Sequence, residues 1–153
     1  MLRVWRLVKA RYAATAFDGE GARLYGGRWN SPGTRVAYAS GSIALAVLEV
    51  LVHLKASQFL PSYRLASADV PDDLVEALAP TALPRGWRQS PPPAATAAIG
   101  DAWVTAATAA VLAVPSAVVE SERNYLLNPA HPELARIIVR APERFVFDPR
   151  LGR

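Results

Sequence analysis

A carboxylate inside an almost wholly apolar stretch needs a reason to be there, and Glu49 sits in one: residues 44–54 are otherwise apolar apart from His53. Such a stretch reads as a helix buried on most of its circumference. An ionised carboxylate left alone there is strongly disfavoured, or has its pKa driven upward. Glu49 must therefore be paired, hydrogen-bonded or open to a cleft. His53 stands four residues on, so the two share one side of the helix. A stripe that meets solvent and a stripe that lines an active site are equally open readings.

Other residues of chemical interest are spread along the chain. Arg28 directly follows Gly26-Gly27. Glycines let a backbone come close to a ligand, and a guanidinium fork suits phosphate or ribose oxygens; a surface arginine beside a turn is the plainer reading. Arg6, between Trp5 and Leu7, is an anion clamp or a snorkelling side chain. Tyr38 fits a core aromatic with a satisfied hydroxyl better than a catalytic group. Ser116 follows a β-branched run and Pro115, where strand ends commonly present polar groups to a cleft, yet it has no obvious partner. No G-x-S-x-G elbow occurs, which disfavours serine-hydrolase chemistry. The segment Asn124-Tyr125-Leu126-Leu127-Asn128-Pro129, with His131-Pro132 after it, is rich in side chains that hydrogen-bond locally. An Asx-type turn closing the domain and a direct ligand role are both open there. Two histidines and no cysteine give no ligand set for a transition metal, so no metal site is expected.

These residues need a scaffold, and periodicity suggests one. Residues 3–8 alternate as a strand with Arg6 projecting from it; residues 12–30 read as irregular loop entering a short strand near Arg28-Trp29. A strand at 36–39 leads to a helix capped by Ser40 or Ser42 and running to about Lys55. Residues 63–70 read as a strand and 72–78 as a short helix with acidic residues at its start. The proline-rich stretch 84–98 reads as a surface connector, 100–110 as a helix, and 111–114, 137–139 and 145–147 as strands. The mixed order predicts an α+β fold, a small mixed or antiparallel sheet with packed helices.

At 153 residues, 52% hydrophobic and 20% charged, the chain fits a single folded domain over 1–153. Its net charge is +4, carried almost entirely by arginine since only Lys9 and Lys55 are lysines. Anionic ligands fit that balance, but the scattered basic residues do not make a nucleic-acid patch. Absence of cysteine fits a reducing cytoplasm, and the first six residues lack the apolar core of a secretory signal. Two apolar runs, 36–54 and 94–119, are interrupted by charged, polar or proline residues and do not read as membrane spans. The expected location is cytoplasmic.

Taken together, Trp5-Arg6, Gly26-Gly27-Arg28-Trp29-Asn30-Ser31-Pro32-Gly33, Tyr38-Ala39-Ser40, Leu45-Ala46-Val47-Leu48-Glu49, Pro115-Ser116 and Asn124 to Pro132 resemble the RES domain. That family is named for an arginine, a glutamate and a serine, which here fall on Arg28, Glu49 and Ser116. The resemblance implies an ADP-ribosyltransferase-like α+β fold and a type II toxin that depletes NAD by cleaving its nicotinamide–ribose bond, as a glycohydrolase or an NAD phosphorylase. NAD is then substrate rather than cofactor, and inorganic phosphate a possible co-substrate. The alternative is an ADP-ribosyltransferase acting on a protein or nucleotide. Glu49 would stabilise the cationic ribose, with Arg28, Ser116 and Tyr38 as further catalytic residues; Arg6, Arg28, Tyr38, Ser116 and Asn124 would bind NAD. The implied partner is an Xre-type helix-turn-helix antitoxin that blocks the cleft, with a homodimer within the complex also open.

Overall fold

Alternation in the first strand organises the molecule. In the computed structural model, which describes residues 1–54 and 62–152, β1 (Leu2–Lys9) turns Val4 and Val8 to one side and Trp5 and Leu7 to the other. It pairs along its length with β3 (Tyr63–Val70), from Leu2↔Val70 to Lys9↔Tyr63. With β2 (Ala37–Ser40) it is in register only at Trp5↔Ser40. Beyond β2 come β6 (Arg123–Leu127), antiparallel to β2, then β5 (Val111–Pro115), antiparallel to β6, and then β4 (Val75–Ala77), parallel to β5. Two short strands, β7 (Ile138–Val139) and β8 (Glu143–Phe145), pair with β3. The main order is β4-β5-β6-β2-β1-β3-β7, the mixed, mainly antiparallel sheet of an α+β fold expected from the sequence.

The sheet is apolar on both faces. Along β5, Val111 packs with Val4, Ala37, Ala39 and Leu127, whereas Leu112 and Val114 pack with Leu126, Trp29 and Trp103. Trp103 belongs to α3 (Ala94–Ala106), and Val47, Val50 and Leu51 of α2 (Ile43–Leu51) pack against the cluster of Leu7 and Leu65. Side chains alternate along strands, so Tyr38 and Ser40 of β2 share a face with their register partners Leu126 and Asn124 of β6. A row of polar groups thereby lies on the face that carries the helices. Ser42 starts α2 by accepting from the Leu45 N–H at 3.1 Å.

Several local expectations are corrected. Residues 12–30 are not all loop: a 3-10 turn (Ala10–Thr15) and α1 (Glu20–Tyr25) lie there, and the Asp18 carboxylate receives the Glu20 N–H at 2.9 Å. Arg28-Trp29 is a tight turn, not a strand. The acidic start at residues 72–74 makes only a 3-10 turn, because Val75–Ala77 then pairs with β5; tertiary pairing overrides the local signal. The α3 helix begins at Ala94, where alanine's high helix propensity outweighs the preceding prolines. Finally, α2 buries only Leu45 and Ala46 fully and exposes Ile43, Ala44, Leu48 and Val52. Apolar composition overstated its burial, since the sheet covers just one side. The helix also ends at Leu51, short of the expected end near Lys55, a residue outside the described ones.

Candidate active site

Glu49 sits near the end of α2, and two donors converge on one of its oxygens. Ser116 Oγ donates to Oε1 at 2.7 Å, and Asn124 Nδ2 donates to the same atom at 2.7 Å. Asn124 Oδ1 in turn accepts from Ser40 Oγ at 2.8 Å. Ser116 is completely buried and its Oγ accepts from the N–H groups of Val118 and Val119 at 3.0 and 3.1 Å. A serine hydroxyl has one proton and two lone pairs, so its capacity is filled. The other carboxylate oxygen, Oε2, has no hydrogen-bond partner among the described residues. His53, the other half of the expected polar stripe, is exposed and stands apart from this network.

Arg28 lies in a turn closed by the Gly27 N–H donating to the Asn30 carbonyl at 3.0 Å. Its Nη1 donates to the carbonyls of Trp87 and Gln89, each at 2.7 Å. Burial draws its pKa below the ordinary value, while the negative charge of Glu49 pulls it back. Arg6 is also drawn down by burial, with Asp18 and Tyr38 countering. Its Nη1 donates to the Tyr38 carbonyl at 2.7 Å where β1 and β2 part, and its Nε is buried without a partner. It does not project freely from the strand. No carboxylate lies within ion-pair distance of Arg6 or Arg28 among the described residues. An unpaired cation held this way is costly, and a bound anion would offset the cost.

Tyr38 lies between the two arginines in charge terms, since both act on its phenol. Burial pushes that phenol far above its ordinary value, so it stays protonated. Its hydroxyl donates to Asn30 Oδ1 at 2.6 Å and accepts from the Trp29 N–H at 3.0 Å. Asn30 Nδ2 donates to the carbonyls of Ala22 and Thr34 at 2.8 and 3.0 Å. Ser116, Tyr38 and Asn124, from which ligand contacts are expected, place polar atoms on Glu49 and on the Arg28 turn, as polar groups withdrawn from water require. His131 likewise serves the frame: Nε2 faces the Ala107 carbonyl at 3.0 Å and Nδ1 accepts from the Glu133 N–H. Asn128 makes an Asx-type turn, its Oδ1 accepting from the Ala130 N–H, which is one of the two readings open from the sequence.

Sequence reasoning missed Ser40, Asn30, Asp101 and the Trp87–Gln89 backbone. A signal for Asp101 existed, since Gly100-Asp101 interrupts an alanine-rich helix and a glycine there usually has a packing reason. Asp101 Oδ1 accepts from the Ser31 N–H at 2.9 Å. Burial pushes its pKa up, but hydrogen bonds from Ser31 and Thr34 outweigh this and hold it below the ordinary carboxylate value. A depressed carboxyl stabilises the fold above its unfolded value and loses that contribution as pH falls through the folded one. Asp101→Asn should therefore lower the urea midpoint more at about pH 6 than at about pH 3. Equal losses at both pH values would contradict this assignment.

Two cavities, of about 310 and 400 Å³, lie elsewhere. One is lined by Ala113, Arg123 and Tyr125 among others, the other by Leu127, Ile137 and Val139, and neither includes Glu49, Arg28 or Ser116. The candidate site thus rests on convergent polar geometry.

Comparison with known proteins bears on the chain as a whole. A toxin of Yersinia enterocolitica serotype O:8 / biotype 1B, named Toxin Res, is 39% identical over 151 residues, covering 98% of this chain and 99% of its own. The Prs ADP-ribosylating toxin of Sphingobium sp. strain YBL2 is 38% identical over 154 residues, covering 97% and 96%. A chain in the crystal structure of the M. tuberculosis MbcT–MbcA toxin–antitoxin complex shares the fold, with a TM-score of 0.79 at 23% identity over 99% of this chain and 86% of that one. The family model for the RES domain matches residues 3–148, and this protein belongs to the RES domain family.

Proposed function

We propose that this protein is the toxin of a toxin–antitoxin pair and that it depletes NAD by breaking the bond between nicotinamide and ribose. The observation that carries the reading is Glu49, whose Oε1 is fixed by Ser116 and Asn124 while Oε2 has no partner among the described residues, with Arg28 close enough to feel its charge. Relatives named Toxin Res support the toxin role.

Cleavage moves the electron pair of the C1′–N bond onto nicotinamide, which leaves as a neutral molecule, and leaves positive charge on the ribose. Glu49 Oε2 stabilises that charge, or accepts from a ribose hydroxyl as it grows. Water or inorganic phosphate then forms the new bond at C1′, and for water a proton is released. Arg6 and Arg28 hold the pyrophosphate oxygens, the anion their unpaired charge lacks. Neither a metal nor a further cofactor enters this scheme. Within the cell the cleft would be covered by a helix-turn-helix antitoxin of Xre type, alone or in an assembly with two toxin copies. No helix of the described residues is long and apolar enough to cross a membrane; a cytoplasmic location is part of the proposal, because its substrate is NAD.

Purified toxin freed of antitoxin, incubated with NAD and followed by proton and phosphorus NMR, should release nicotinamide. Release only with phosphate identifies a phosphorylase, and release in both buffers a glycohydrolase. The Prs name favours one second reading, transfer of ADP-ribose to a macromolecule. Labelled adenine appearing on protein or nucleic acid would establish it.

A further inference from the structure

Residues 84–93, part of the 84–98 stretch expected to be a mere connector, are built into the site from both sides. Successive groups of Trp87, Arg88 and Gln89 face opposite ways. Inward, the carbonyls of Trp87 and Gln89 take both protons of Arg28 Nη1 at 2.7 Å each, and the Trp87 ring packs on Trp29 with centroids 6.4 Å apart. Outward, Arg88 donates through Nε and Nη2 to the Ala117 carbonyl at 3.1 and 3.0 Å, and through Nη1 to Glu120 at 2.9 Å. Residues 117–119 are the loop whose N–H groups hold Ser116 Oγ, and Ser116 holds Glu49. The contacts form a chain from Arg28 through the 87–89 backbone, Arg88, the 117–120 loop and Ser116 to Glu49, whose negative charge acts on Arg28.

We infer that residues 87–89 form a fixed wall of the substrate site, and that Arg88 is a positioning residue which keeps Arg28 at its set distance from Glu49. The inference rests on the NAD reading above and adds a part to it. Nη1 of Arg28 is spent on the wall, so its Nε and Nη2 are the groups left for the ligand. The ion pair with Glu120 is solvent-exposed, at 44% and 63%, and contributes little by itself. The Ala117 carbonyl, gripped by two nitrogens of one planar fork, is the stronger anchor, and lysine cannot reproduce that grip.

The test compares wild type, Arg88→Ala, Arg88→Lys and Glu120→Gln in steady-state NAD cleavage and in amide hydrogen exchange of the free protein. Arg88→Ala should raise KM for NAD about fivefold, with a smaller change in kcat. Arg88→Lys should recover part of the loss, and Glu120→Gln should stay near wild type. Exchange in 86–90 and 117–120 should speed up in Arg88→Ala while the β3 amides stay protected. An unchanged KM, or a kcat loss without a KM rise, overturns the positioning role. Exchange needs no turnover, so a wild type that leaves NAD intact refutes the NAD reading alone. Unaltered exchange in Arg88→Ala overturns the wall whatever the substrate.

Discussion

Glu49→Gln should reduce kcat/KM for NAD cleavage by at least about a hundredfold while leaving the fold intact. The reason lies in the two donors at Oε1. Ser116 Oγ and Asn124 Nδ2 both present hydrogens to that position, so a glutamine must place its carbonyl oxygen there and its NH2 at the site of Oε2. The amide therefore turns a donor toward the ribose just where positive charge develops. Size, rotamer and the Ser116 and Asn124 bonds are kept, so thermal stability should change little and NAD binding should survive within a few-fold. Measured kcat and KM, with a melting curve as control, check this. A variant that keeps more than a tenth of wild-type kcat/KM would remove Glu49 from the chemistry.

Ser116→Ala belongs to the same logic but not to the same magnitude. It would free Oε1 of one donor and leave the Asn124 bond in place, so Glu49 would be loosened rather than inverted. The two substitutions thus separate the acting group from the groups that aim it, and they explain why Ser116 carries no spare hydrogen-bonding capacity for a ligand.

How far the sequence could be read depended on whether a residue's partners were local. Glu49 stood out because one carboxylate in an apolar helix is anomalous wherever the helix packs. The 63–70 strand and the Ser42 cap were legible for similar reasons: alternation and capping are written in adjacent residues. Ser116 found its partner at Glu49 across 67 residues, and Arg28 found Trp87 and Gln89 across 59 and 61. Only the tertiary fold creates those meetings. Carbonyl acceptors such as Trp87 O are also invisible to any reading of side-chain types, which is why 84–98 reads as a connector. Residues 72–78 misled in the opposite sense, since acidic residues before an apolar run imitate a helix start and nothing local reveals the parallel partner β5. The exposed apolar residues Ile43, Leu48 and Val52 show the same limit, because an apolar residue does not announce whether a neighbour covers it.

Gly100→Ala should lower the melting temperature and impair substrate binding together, against the usual rule for a helix interior. Replacing a mid-helix glycine by alanine ordinarily stabilises by roughly 1 kcal/mol. Here a β-carbon at Gly100 would lie 1.6 Å from the Trp29 carbonyl oxygen and 2.7 Å from its carbon. Those are backbone atoms of the turn that carries Arg28, and no side-chain rotation can move them aside. Either α3 or the turn must shift by more than an ångström. If α3 moves, Trp103 leaves its contacts with Leu112 and Val114. If the turn moves, the Asp101 bond to Ser31 and the Tyr38 bond to the Trp29 N–H are lost, and Arg28 with them. Overpacking of this kind costs about 2–3 kcal/mol, or roughly 5–10 °C in a chain of this size. Gly21→Ala in α1 is the matched control, since its β-carbon would meet nothing within 4 Å; it should be neutral or slightly stabilising. Calorimetry on both variants, with KM for NAD, reads the result. A Gly100→Ala protein that melts with wild type and binds NAD equally well would mean that α3 does not set the position of the arginine turn.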